Sequence, residues 1–166
     1  MIMPVISHET DTTNHSITIT ADFNAPVQRV WAVYADPRTL EQIWGPPTHP
    51  ATFTQHELAP GGRMDYHMTG PDGEEYHGYW LIDEVDEQER IAFRDGFADA
   101  SGAANADLPL ARNEFLFSEQ DGHTTVRYIT HYSSEQELNQ SIEMGAIDGA
   151  TLAINQIDEH VAAPHD

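Results

Sequence analysis

Cysteine is absent from the 166-residue chain, which excludes disulfides, thiolate metal sites and a cysteine nucleophile. Lysine is absent too: all seven basic residues are Arg, so no side chain can form a Schiff base. Against 28 acidic residues this leaves a net charge of −21, a surface that repels phosphate backbones and anionic lipid. Nucleic acid and membrane partners are therefore not expected, and the acidity reads as a solvated surface. No apolar run approaches a membrane span, and no positively charged start precedes an apolar stretch. These absences imply a cytoplasmic protein. Its state, monomer or homodimer, stays open.

What is present is a patterned, aromatic-rich chain with three Trp, six Tyr and six Phe. Residues 1–14 are polar and unpatterned and read as a flexible N-terminal segment, with residues 163–166 as a tail. Between them, 15–162 reads as a single domain. Ser16 to Phe23 alternates Ile17, Ile19, Ala21 and Phe23 against polar neighbours, the period of a half-buried strand. Pro26 opens a short helix with Val27, Val30, Trp31 and Tyr34 on one face. Asp36-Pro37 caps a second helix carrying Leu40, Ile43 and Trp44, ended by Pro46, Pro47 and Pro50.

Strands are expected at about 51–58, 62–69, 75–85, 90–95, 111–119 and 123–132. Met64, Tyr66 and Met68 share one face of the second of these, and Gly78, Trp80 and Ile82 share one face of the third. Matching the two faces requires an odd-length loop, and Pro71-Asp72-Gly73 supplies a type I turn with a bulge. That register sets Tyr66 opposite Gly78 and Met64 opposite Trp80. Asp121-Gly122 is a type I′ signal that pairs Phe115 with Tyr128 and Phe117 with Val126. The stretch 96–110 is the longest irregular segment and a candidate lid. A long helix is expected over 134–162, with Ser134 and Glu137 as a capping box and an apolar stripe of Leu138, Ile142, Ala146, Ala150, Ala153/Ile154, Ile157 and Val161.

Trp44-Gly45-Pro46-Pro47, Leu58-Ala59-Pro60-Gly61-Gly62-Arg63, Met68-Thr69-Gly70-Pro71-Asp72-Gly73-Glu74 and Glu84-Val85-Asp86 followed by Arg90-Ile91-Ala92-Phe93 together carry a family resemblance. The chain, over about residues 15–162, resembles the START-like, or SRPBCC, helix-grip superfamily. Within it, it is most similar to bacterial homologues of the activator of the heat-shock-chaperone ATPase, grouped with polyketide cyclase-like proteins. The resemblance implies an α+β helix-grip fold. Such a fold has a seven-stranded curved antiparallel sheet wrapped around a long C-terminal helix, two short helices after the first strand, and an apolar cavity between sheet and helix. Relatives commonly carry bulky residues where this chain has Ala146 and Ala150, so those alanines either enlarge the cavity or let the helix approach the sheet.

The pocket is expected to be lined by Trp44, Met64, Tyr66, Met68, Trp80, Ile82, Phe93, Phe115, Phe117, Tyr128, Thr130, Ile142, Ala146 and Ala150, a mostly apolar set with few polar groups. Trp44, His49 and the 96–110 loop would lie near its mouth. The expected occupant is a small lipophilic or aromatic molecule, and no cofactor is implied. Glu84, Asp95, Asp148 and Tyr66 are the acid or base candidates, but no nucleophile is paired with a base, so none is expected to be essential to a chemical step. His67 and His77 fall opposite each other on the outward face beside Glu75. That group reads as solvated rather than as a metal site. Two other readings remain: a cyclase- or aldolase-like enzyme on a polyketide-like substrate, and a chaperone-binding module, although the extra N-terminal region of eukaryotic activators is not seen.

Overall fold

The computed structural model describes residues 5–45, 48–99 and 111–161. Within them the order is β1 (Val5–Asp11), β2 (Ser16–Phe23), α1 (Val27–Ala35), α2 (Pro37–Trp44), β3 (Ala51–His56), β4 (Arg63–Thr69), β5 (Glu75–Asp86) and β6 (Arg90–Ala98). Then follow β7 (Ala111–Gln120), β8 (His123–His131), α3 (Glu135–Glu143), α4 (Ala146–Asn155) and α5 (Asp158–Val161). All strands join one antiparallel sheet in the order β1-β2-β8-β7-β6-β5-β4-β3.

The sheet therefore has eight strands, not seven. The extra one is β1, drawn from the segment read as flexible. It pairs with β2 across a turn in which the Asp11 carboxylate accepts from the backbone N–H of Thr13 and Asn14, while His15 takes a positive φ of 55°. Only Val5 of β1 is even half-buried, so the strand shows no inward alternation by which it could be recognised.

The hairpins follow the sequence closely. Met64 pairs with Trp80 and Tyr66 with Gly78. The Gly73 N–H donates to the Gly70 carbonyl at 3.0 Å, and Gly73 lies at φ 84°, which makes the type I turn with a bulge. Asp121 and Gly122 both have positive φ, 54° and 79°, as a type I′ turn demands, and Phe115 faces Tyr128. Asp36 caps α2 by accepting from the Arg38 N–H, with Pro37 in the first helical turn. Pro26 precedes α1 in extended conformation instead of opening it. Pro46 and Pro47 lie outside the described residues, as do residues 100–110 of the expected lid. Gly96 to Ala98 of that stretch extend β6.

The expected single C-terminal helix is three helices. Ser134 caps α3, accepting from the Glu137 N–H at 3.1 Å, while the Glu137 carboxylate reaches back to the Ser133 N–H. The first break falls at Met144-Gly145. The Gly145 N–H donates to the Ile142 carbonyl, and Gly145 adopts φ 86°, a left-handed conformation that ends a helix and that glycine takes without penalty. The second lies at Gln156-Ile157. The Gln156 amide donates to the Gly45 carbonyl at 2.8 Å, fastening this joint to the end of α2.

α4 packs on β1, β2 and α2, and α1 packs on β7, β8, α2 and α5. Beneath α1 the space is filled: Trp31 and Tyr34 meet Phe117 edge-on, with ring centroids 5.2 and 6.0 Å away. Beneath α3 and α4 it is not.

Candidate ligand site

Between the sheet and the α3–α4 segment lies a cavity of about 400 Å³. Its floor is the inward face of β2, β7 and β8, with Ile17, Ile19, Asn113, Phe115, Tyr128 and Thr130. One side is Tyr66 and Met68 of β4 with Trp44 of α2. Its roof is Gly145, Ala146, Gly149, Ala150 and Ala153, a surface no deeper than a methyl group. Phe97 and Met144 also line it while 43% and 67% exposed, and so mark its mouth.

Eight of the residues expected at a pocket stand on this wall: Trp44, Tyr66, Met68, Phe115, Tyr128, Thr130, Ala146 and Ala150. Six do not. Met64, Trp80, Ile82, Phe93 and Phe117 are buried in the core. The Trp80 ring stacks on Phe93 at 4.0 Å and is covered by Trp44, whose ring lies 4.7 Å away edge-on, so the indole of α2 stands between Trp80 and the open space. Phe117 sits beneath α1. Ile142 packs half-buried against the core just before the helix break. His49 is not on the wall either; its ring lies 5.8 Å from that of Tyr76.

Three inward polar groups form a chain across adjacent strands. The Thr130 hydroxyl donates to the Asn113 side-chain carbonyl at 2.8 Å, and the Asn113 amide donates to Asp95 Oδ1 at 2.7 Å. Asp95 faces the cavity. Withdrawal from solvent pushes its carboxyl up to about 6, against a partial opposing effect of the Asn113 amide. Burial likewise raises Tyr66, with the nearby Asp95 charge adding to it, so the phenol stays protonated at neutral pH. Deeper in, the Tyr34 hydroxyl donates to that of Tyr128 at 2.9 Å, and burial holds both phenols well above their ordinary value. The site thus offers an apolar body with a polar corner, able to take up or release a proton at Asp95 and to donate from neutral hydroxyls.

The other acid or base candidates are elsewhere. Glu84 lies on the outer side of the sheet and pairs with Arg90, and Asp148 is solvent-exposed on α4. Asn113 lies outside the expected set. Its signal was parity, since it alternates with Phe115 and Phe117 and must share their inward face. Tyr34, Ile17 and Ile19 also reach the wall, although their sequence pattern marks them only as inward packing residues of α1 and β2.

A curved antiparallel sheet with helices closing an apolar cavity defines the START-like, or SRPBCC, helix-grip class. Residues 24–162 match the family described as Activator of Hsp90 ATPase homolog 1-like protein, and the chain belongs to it. It is similar to protein Ms6760 from Mycobacterium smegmatis, 52% identical over 98% of this chain and 100% of that one, with a TM-score of 0.89. It is also similar to a protein from Arthrobacter aurescens, 39% identical over 98% and 94% of the two chains, TM-score 0.91. CalU16 from Micromonospora echinospora shares the fold at 18% identity, covering 94% and 84%, TM-score 0.59. No curated protein matches the chain.

Proposed function

We propose that the protein binds one small apolar or aromatic molecule in the cavity between its sheet and the α3–α4 helices. The observation that carries this reading is the cavity itself, about 400 Å³ lined mainly by apolar side chains with one polar corner. Apolar burial supplies affinity, and the Asp95–Asn113–Thr130 chain orients the guest through a hydroxyl, carbonyl or amine. A neutral dye such as Nile red suits the test, because the net charge of −21 repels anionic probes. Saturable fluorescence enhancement, with a retained mass in native mass spectrometry of protein purified without denaturation, supports the proposal. Absence of both overturns it.

A cyclase- or aldolase-like reaction is favoured by one observation. Asp95, held near 6 beside a protonated Tyr66, has the proton affinity of a general base working near neutral pH. Incubating the retained molecule with wild type and with Asp95→Asn, followed by mass, separates the two readings. Conversion that disappears in the variant assigns an enzyme.

A further inference from the structure

The outward face of the β4–β5 hairpin carries a second chemistry. His67 pairs with His77 across the two strands, and their rings lie with centroids 5.4 Å apart, tilted by 40°. Glu75 is two residues before His77 on the same face, and its Oε1 lies 3.1 Å from His77 Nε2. One ligand atom from each of the three residues can be chosen so that all lie within 4.8 Å of one another. The strands on either side place the small residues Thr52 opposite His67 and Ala98 opposite His77, and the two imidazoles are half-buried while Glu75 is exposed.

We infer that His67, His77 and Glu75 form a binding site for a divalent transition-metal ion such as zinc or nickel. Bonds of about 2.0–2.2 Å from nitrogen and oxygen to such an ion place neighbouring ligand atoms roughly 3.0–3.5 Å apart. The Glu75–His77 separation already has this value, and the remaining contraction is within reach of side-chain rotation. Two imidazoles and one carboxylate suit zinc, nickel or copper, whereas calcium and magnesium prefer all-oxygen sites. Three protein ligands leave further coordination positions to water. The acid-rich surface concentrates cations around the site. An ion here ties β4 to β5 one residue along from the Tyr66–Gly78 pair, on the outer side of the strand whose inner side meets the cavity.

The test is calorimetric titration of the full-length, tag-free protein with zinc chloride and with nickel chloride in excess magnesium. One saturable site is expected. His67→Ala and His77→Ala each weaken it by at least about tenfold, and His123→Ala, on the exposed end of β8, leaves it unchanged. Nickel added to wild type broadens the ring resonances of His67 and His77 ahead of the other histidines, a readout that needs no variant to fold. Equal binding in all three variants, displacement by magnesium, or uniform broadening of all histidines overturns the site.

Discussion

The Tyr66 ring lies across Gly78. A β-carbon at position 78 would come within 2.5 Å of the tyrosine Cζ and hydroxyl oxygen, so the cavity-lining phenol holds its position because its cross-strand neighbour has no side chain. Gly78→Ala is expected to push the ring away and destabilise the fold by about 1–3 kcal/mol. In a Tyr66→Ala background the same change is expected to be neutral or stabilising, since glycine is the poorer strand residue. Urea unfolding of the four proteins gives the coupling. A Gly78→Ala cost that persists without the tyrosine ring contradicts the relationship.

Asp95 makes stability depend on pH. Its folded pKa, about 6, lies above that of the unfolded chain, so the folded protein binds the extra proton. The contribution is fully present below the unfolded value near 3.9 and is lost as pH rises through about 6. The shift corresponds to no more than about 3 kcal/mol, reduced by water reaching the carboxylate through the cavity. Asp95→Asn keeps an oxygen for the Asn113 amide and removes the titration. Its stability relative to wild type should increase between pH 4 and 7 and level off above that, as measured by denaturant midpoints across the range.

Ala146→Trp and Ala150→Trp are expected to fill the cavity. Room for an indole is present, so the melting temperature should change little, while Nile red affinity falls by more than about tenfold, equivalent to about 1.4 kcal/mol. A filled core would instead show the overpacking penalty of about 1–3 kcal/mol. Thermal melts beside dye titrations distinguish the two.

Two glycines four residues apart should respond with opposite signs. Gly145 sits at φ 86°, where alanine is strained, and Gly145→Ala should cost about 1–2 kcal/mol. Gly149 is inside α4, and a β-carbon there meets no atom within 4 Å, so Gly149→Ala should stabilise by about 0.5–1 kcal/mol. Equilibrium unfolding of both variants checks the pair.

The parts of the fold that the sequence displays are those in which a local rule and the global packing agree. The Pro71-Asp72-Gly73 and Asp121-Gly122 turns fix register, and register fixes which side chains point inward. What escaped has physical reasons. β1 is an edge strand with both faces largely in water, so burial imprints no alternation on it. The helix break at Gly145 hides inside an apolar stripe that continues in phase on both sides. The division of the inward set into wall and core depends on how α1 and α2 lie over the sheet. Parity places Trp80 and Tyr66 on the same side, but only the position of Trp44 decides that one is covered and the other reaches the cavity.

The roof built from Gly145, Ala146, Gly149, Ala150 and Ala153 sets nothing larger than a methyl group between the helical main chain and the cavity. Main chain held by helical hydrogen bonds cannot swing aside as a leucine or methionine can, so the depth of the chamber is a fixed dimension. Every carbon added at one of these positions subtracts directly from the room below. Substitutions at these few positions that keep the helix path therefore change the size of the chamber with no accompanying change in the sheet.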